Sequence, residues 1–498
     1  MAIRQRVLIS LALALALLVL AAFVIPWRSS RSAPAPAPLP SPPLAPPPAA
    51  APPHIGADGI GDPYYPHAGD GGYHVTGYDI HVHYDPSTDR LEGHTTVTAQ
   101  ATESLSRFDL DLRLPASAVT VNDRPAWIHQ SEGKLQVTPA VPVLAGAPMT
   151  VRVDYAGVPS SVPDGPGVPS PWVRTPEGAV AVGEPEIAAW WYPSNDHPSD
   201  KATFTITTIV PAGLQVISNG DLLGGPEPAG PGWQRWRWQE SQPMATYLAF
   251  IAIGHYDIVR RDTRFGLYLA AYDRELDPQI AGAARDSVER TPEIIEFLSG
   301  IFGPYPFHQL GGVVPDAPTL HFALENQTRP VYGPVFFASG QDVSVVVHEL
   351  AHQWFGDSVS VRHWSDIWLN EGFATYAQWL YTEHTGGPSA AQTAAEDYAR
   401  YPAGDDFWRI PPGAPGDGVK AFNDAVYLRG AMALQALRTA VGDQDFFTAL
   451  RAWATERADR NGSVRGFLAV LQHVSGKDVA DVARSWLFTP ARPSAPPG

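Results

Sequence analysis

Two histidines four residues apart, in His348-Glu349-Leu350-Ala351-His352, followed after eighteen intervening residues by Glu371, constrain this chain more than any other stretch. On a helix the two histidines share one face, a turn apart. Imidazoles so placed reach a single tetrahedral metal. Glu349 lies about 100° round the helix, too far off that axis to ligate but close enough to take a proton from a water at the metal. Asp342 is the candidate N-cap, and Val343, Val346, Val347, Leu350 and Ala351 give the helix a nearly all-round apolar surface; Gly356 suits its C-terminal stop. A helix this apolar is buried, and burying two histidines and a glutamate requires a compensating partner. Glu371 opens a second helical stretch, 368–383, and completes a His, His, Glu donor set that leaves a fourth position for water, the pattern of catalytic zinc. The 498 residues include no cysteine. One zinc ion per chain, held by nitrogen and oxygen alone, is the cofactor this predicts.

A chain of this length holds two or three domains with sizeable cores. Its net charge of −17, with no basic run after Arg31, excludes a nucleic-acid partner. At the N-terminus Arg4 and Arg6 precede an apolar run, 7–25, interrupted only by Ser10. Such a run is long enough to span a bilayer, so residues 1–32 read as a membrane anchor or a cleaved signal segment. The expected placement is the cell membrane, single-pass with an extracytoplasmic catalytic domain, or secretion if the segment is cleaved. Residues 33–60 form a Pro/Ala-rich linker, with eleven prolines between 33 and 53.

From 61 to 257 the pattern is that of strands separated by turn signals such as Asn122-Asp123 and Ser218-Asn219-Gly220. In 78–84, Ile80 and Val82 face one way and His81 and His83 the other, which predicts a half-buried strand with its histidines on the solvated face. Between 258 and 489 helical periods take over, at 286–297, 366–382, 426–440, 446–458 and 464–473. The predicted fold class is therefore α+β and multidomain, an antiparallel β domain followed by a mixed half ending in helices. Residues 490–498 read as a disordered tail.

From about residue 61 to 487 the chain resembles the gluzincin aminopeptidases of peptidase family M1. The resemblance is carried by His348-Glu349-Leu350-Ala351-His352-Gln353-Trp354-Phe355-Gly356 and by Trp368-Leu369-Asn370-Glu371-Gly372-Phe373-Ala374. It implies a thermolysin-like α/β zinc-peptidase domain behind the β domain. Because the chain stops soon after Trp486, it also implies the short two-domain form, without the long C-terminal helical-repeat domain. Phe322-Ala323-Leu324-Glu325-Asn326 is similar to the family's Gly-Ala-Met-Glu-Asn exopeptidase motif. That likeness assigns Glu325 to the substrate's free α-amine and puts Ala323 and Asn326 among the substrate-binding residues. Phe322 replaces the motif's glycine and Leu324 its methionine, setting a ring where backbone would approach the substrate.

Gly183-Glu184-Pro185, ahead of Asp200-Lys201-Ala202-Thr203-Phe204, resembles the family's Glu…Lys-Ala-Thr-Phe stretch and makes Glu184 the second amine-binding carboxylate. Two carboxylates around one ammonium pair opposite charges, and an internal peptide segment would leave both unpaired. Tyr427, in Tyr427-Leu428-Arg429-Gly430, resembles the family's Tyr-x-Lys-Gly, whose tyrosine donates to the developing oxyanion. Arg429 stands where lysine is usual. The resemblance thus implies a zinc-dependent metallo-aminopeptidase with Glu349 and Tyr427 catalytic, acting on peptides with a free N-terminus. The alternative is a zinc endopeptidase or epoxide hydrolase on the same scaffold.

Overall fold

Strict alternation shapes the first long strand. In Tyr73–Asp85 the side chains of Tyr78, Ile80, Val82 and Tyr84 are buried while the intervening ones are not, the period-two signature of a half-buried strand. In the computed structural model, which describes residues 52–165 and 168–498, this strand pairs antiparallel with Arg90–Ala101, which pairs antiparallel with Pro148–Gly157. On its other side Ala202–Pro211 runs parallel to it and antiparallel to Trp233–Met244. These strands are the middle of a nine-stranded sheet. A four-stranded sheet containing Ala179–Ala181, Gln215–Ser218 and Ile251–Gly254 is almost wholly buried, and Glu184 lies just beyond its end. The histidine face, expected to be solvated, is partly exposed and carries packed rings. His81 stacks on His94 with ring centroids 4.6 Å apart, and His83 meets the edge of Trp233 at 4.1 Å.

From Tyr256 onward a five-stranded mixed sheet takes the order Tyr256–Thr263, Gly266–Asp273, Gln309–Val314, Val331–Tyr332, Ala323–Leu324. The exopeptidase-like stretch is thus its edge. One helix was expected at 286–297, but two form, Pro278–Val288 and Thr291–Phe302. The break follows from Pro292, which has no N–H to give to the carbonyl of Val288; the hydroxyl of Thr291 donates there instead, at 2.6 Å. The helix Ala390–Arg400 was not anticipated, although Ser389 and Gln392 close a reciprocal capping box on it.

Three helices carry the site: Val343–Ala351, Trp368–His384 and Asp424–Val441. The second and third cross where Gly372 meets Gly430. A Cβ on Gly372 would lie 3.1 Å from the Gly430 backbone, a tight contact that the two glycines avoid. Arg429, next to that crossing, is fully buried and donates to the carbonyls of Trp408 (2.7 Å), Trp486 (2.9 Å) and Thr489 (2.6 Å). It locks the C-terminal segment onto the helices. The expected disordered tail, 490–498, is instead seated beside it: the Tyr398 hydroxyl donates to Pro493 O at 2.6 Å, and the Arg492 guanidinium lies 3.8 Å over the Tyr398 ring.

The expected membrane segment, 1–32, and most of the linker lie outside the described residues. Among the described residues no helix is long and apolar enough to cross a membrane. The longest of the site helices, Asp424–Val441, has 18 residues but carries Asp424, Arg429 and Arg438, charges that a bilayer core would reject. The expected single-pass placement in the cell membrane, with membrane as a partner, is corrected on this finding.

Candidate metal and peptide-binding site

Helix Val343–Ala351 starts as its sequence dictates, with the Asp342 carboxylate accepting from Val345 N at 3.0 Å. Three consecutive valines, 345–347, disfavour a helix by their stiff side chains, but all three are buried and packing outweighs propensity. The helix ends at Ala351, not at Gly356. His352 is its C-cap, and the chain then turns so that Asp357 N donates to His352 O at 2.9 Å.

The donor atoms of His348, His352 and Glu371 all lie within 4.8 Å of one another. His348 Nε2 is 3.1 Å and His352 Nε2 3.5 Å from Glu371 Oε2. The opposite ring nitrogens are both engaged. His348 Nδ1 donates to Gln378 Oε1 and His352 Nδ1 to Phe355 O, each at 3.1 Å. With each Nδ1 engaged in this way, both Nε2 atoms are turned to one spot beside Glu371 Oε2, the arrangement that metal-bound imidazoles require. Two nitrogens, a carboxylate and their burial fit zinc. Burial pushes Glu371 up, but His352 and the hydrogen bonds from both histidines outweigh it and hold the carboxyl at about 2.

Burial raises Glu349 to about 7, the histidines pulling it down and Glu325 and Glu371 pushing it up. Tyr427 stacks on His348 with centroids 6.0 Å apart. Burial and then Glu371 and Glu184 raise its hydroxyl well above the ordinary value, so it stays a donor. Glu184 is also raised, by burial first and then by Glu325, and its Oε1 is buried without a partner. Glu325 is 2% exposed; its Oε1 accepts from the Tyr247 hydroxyl at 2.9 Å. Glu184, Glu325, Glu349 and Tyr427, with Ala323 and the three donor residues, line one cleft of about 690 Å³. The cleft lining includes Glu184, Glu325, Glu349 and Glu371 and, among the described residues, no lysine or arginine. Four clustered carboxylates without a protein cation call for cationic ligands.

Asn326 is placed differently from the rest. It is fully buried beneath the cleft, where its Nδ2 donates to Leu248 O at 2.9 Å, and it is not part of the lining. It holds the segment that presents Glu325. Gln353 does the same from the turn after the histidine helix, donating to Glu325 O at 3.0 Å and accepting from Thr328 N at 2.8 Å. Sequence reasoning passed over Tyr247, Gln353 and Gln378. Only Gln378 left a local trace, seven residues after Glu371 on the same helical face.

A family model described as "Peptidase family M1 domain" matches residues 287–486, and one described as "Peptidase M1 N-terminal domain" matches residues 174–248. The chain is 28% identical over 332 residues to a glutamyl aminopeptidase of Rattus norvegicus, covering 63% of this chain and 34% of that protein. It is 26% identical over 354 residues to an aminopeptidase N of Haemonchus contortus, covering 65% of this chain and 35% of that protein. The chain thus spans about a third of the length of these relatives. Among solved structures it resembles an M1 zinc metallopeptidase from Deinococcus radiodurans at a TM-score of 0.77 and 30% identity, covering 88% of this chain and 99% of that one. A mutant from the same organism, bound to a Tyr-Ser-Ala substrate, matches with a TM-score of 0.77, 30% identity, and coverage of 88% and 100%.

Proposed function

Because this chain belongs to peptidase family M1, we propose that it is a zinc-dependent aminopeptidase, removing residues one at a time from the free amino end of peptides. One observation carries the exopeptidase part. Glu184 and Glu325, 141 positions apart by their numbering (325 − 184), line one cleft beside the His348, His352 and Glu371 donors. A substrate ammonium satisfies both carboxylates, whereas an internal peptide segment leaves them buried and unpaired.

In this reading His348 Nε2, His352 Nε2 and the Glu371 carboxylate hold the zinc. When bound, zinc supplies Lewis acidity that polarises a carbonyl and acidifies a water. Glu349 takes the proton of the attacking water on its carboxylate and returns it to the nitrogen of the leaving amine. The Tyr427 hydroxyl donates to the carbonyl oxygen as negative charge develops there. Glu184 and Glu325 fix the ammonium, and with it the register of the scissile bond, while Ala323 flanks the bound chain. The division between the β domain and the catalytic domain is put at residues 257 and 258, just inside the first strand of the five-stranded sheet, Tyr256–Thr263.

The test compares a peptide with its N-acetylated form, using the zinc-loaded protein. The reading requires stepwise release of N-terminal residues from the free peptide and negligible turnover of the acetylated one. Equal cleavage of both, at internal bonds, would replace it with the endopeptidase alternative.

A further inference from the structure

Beside the amine-binding carboxylates stands a residue that the proposed chemistry leaves unused. Phe322 is 41% exposed, and its ring lines the catalytic cleft. It also lines an adjoining hollow of about 530 Å³, whose walls include Trp172 and Leu320. Glu184 and Phe322 are the two residues common to both spaces, so together they make the wall between them.

The ring has not displaced its strand. Ala323 and Leu324 pair in register with Tyr332 and Val331, and Phe322 O accepts from Gly333 N at 3.1 Å. Gly333 permits this because a Cβ there would lie 2.2 Å from Leu320 O and 2.8 Å from Phe322 O. With its backbone tied down in this way, Phe322 is held in the wall shared by the two spaces.

An amino acid's ammonium and side chain branch from the same carbon. A substrate whose ammonium sits between Glu184 and Glu325 must therefore carry its first side chain against the wall that adjoins them. Phe336 and Phe422 line the same cleft. Asp342 and Asp424 add to its negative charge, and no described lysine or arginine lines it. Arg174 belongs to the adjoining hollow, where it donates to Pro86 O at 3.0 Å and lies 3.7 Å from Asp89.

We propose that Phe322 selects the substrate's first side chain, favouring aromatic residues and arginine and refusing aspartate and glutamate. An aromatic face attracts ring edges and guanidinium groups. An acidic side chain would enter a cleft of like charge with nothing to pair it. This selectivity rests on the aminopeptidase reading, and it sets the chain apart from the glutamyl aminopeptidases it resembles.

The experiment measures kcat/KM of the zinc-loaded protein on fluorogenic amides of Phe, Arg, Ala and Glu. Phe and Arg amides should exceed Ala amide by roughly tenfold, with Glu amide the poorest. Phe322→Ala should lower turnover of the Phe and Arg amides by about five- to tenfold, and that of the Ala amide by no more than about twofold. Phe322→Leu keeps apolar contact but removes the π face, so the Arg amide should suffer more than the Phe amide. Because the ring is partly exposed, thermal melts of both variants should match the parent protein. A uniform loss on all amides, or Glu amide cleaved as fast as Phe amide, overturns the proposal while the aminopeptidase reading stands. If no free-amine amide is cleaved, that reading fails and takes this proposal with it.

Discussion

Glu349 and Glu371 lie on neighbouring helices, are both buried and face the same histidines, yet their environments drive them apart. Glu371 is held at about 2 by the imidazoles that it contacts, while Glu349 is raised to about 7 by burial. One is suited to a permanent charge and the other to moving a proton. Glu349→Gln should therefore keep zinc, measured by metal analysis after gel filtration, and lose at least about 10²-fold in kcat. Near-normal turnover would remove Glu349 from the mechanism. The amine end allows a graded comparison. Glu325→Gln removes a charge-assisted hydrogen bond of roughly 1.5–3 kcal/mol, a loss of about ten- to a hundredfold in kcat/KM on free-amine substrates. Tyr247→Phe, which only frees Glu325 Oε1 from its hydroxyl partner, should cost about five- to tenfold and act mainly through KM. Equal losses on free and acetylated substrates in both variants would show that Glu325 does not read the amine.

At the level of elements, the crossing of Trp368–His384 over Asp424–Val441 is what brings Glu371 and Tyr427 to one cleft. Gly372 follows Glu371 directly, and Gly430 lies one turn after Tyr427. Arg429 braces the same crossing from behind by gathering the carbonyls of Trp408, Trp486 and Thr489. A lysine has the charge but not the planar fork that reaches several acceptors at once. Arg429→Lys should lower unfolding stability by about 2–4 kcal/mol in urea titration, while leaving the zinc donors in place. A change within about 0.5 kcal/mol would mean that the fork is dispensable.

Across the whole molecule, Asp62 ties distant parts of the chain together. Its Oδ2 accepts from Trp364 N at 2.8 Å and from His197 Nε2 at 3.0 Å, and its Oδ1 caps Tyr64 N and Tyr65 N. Ser199 N donates to His197 Nδ1, so the histidine is neutral with its proton on Nε2. Burial alone would raise Asp62, but these bonds outweigh it and lower the carboxyl from 3.8 to about 2. Since folding favours the ionised form, the stabilisation is fully present above pH 3.8 and is lost as the pH falls from there to about 2. Other buried carboxyls, Asp70 and Asp196 among them, are raised and have the opposite slope. The difference between the parent protein and Asp62→Asn isolates the effect: it should be constant above about pH 5 and shrink toward pH 2. A difference that does not change over that range would show that Asp62 carries no such linkage.

The amino-acid sequence by itself determined what depends on near neighbours. The i, i+4 histidines, the Asp342 cap, the alternation in 78–84 and the turns around it are local consequences of 3.6- and 2-residue periods. The His, His, Glu donor set was legible because its spacing leaves little freedom. Tertiary structure decided the rest. It ended the histidine helix at Ala351, where burial of the His352 turn outweighed the pull of Gly356; the split of 278–302, by contrast, was written locally in Pro292. Tertiary structure also seated 490–498 on helices that no local pattern connects to it. Above all it set Glu184 and Glu325 in one cleft, with Tyr247 beneath them, while turning Asn326 away. Those contacts join residues dozens to more than a hundred positions apart. Whether such side chains meet depends on how sheets and helices pack, because packing satisfies all buried groups at once and no single segment encodes it.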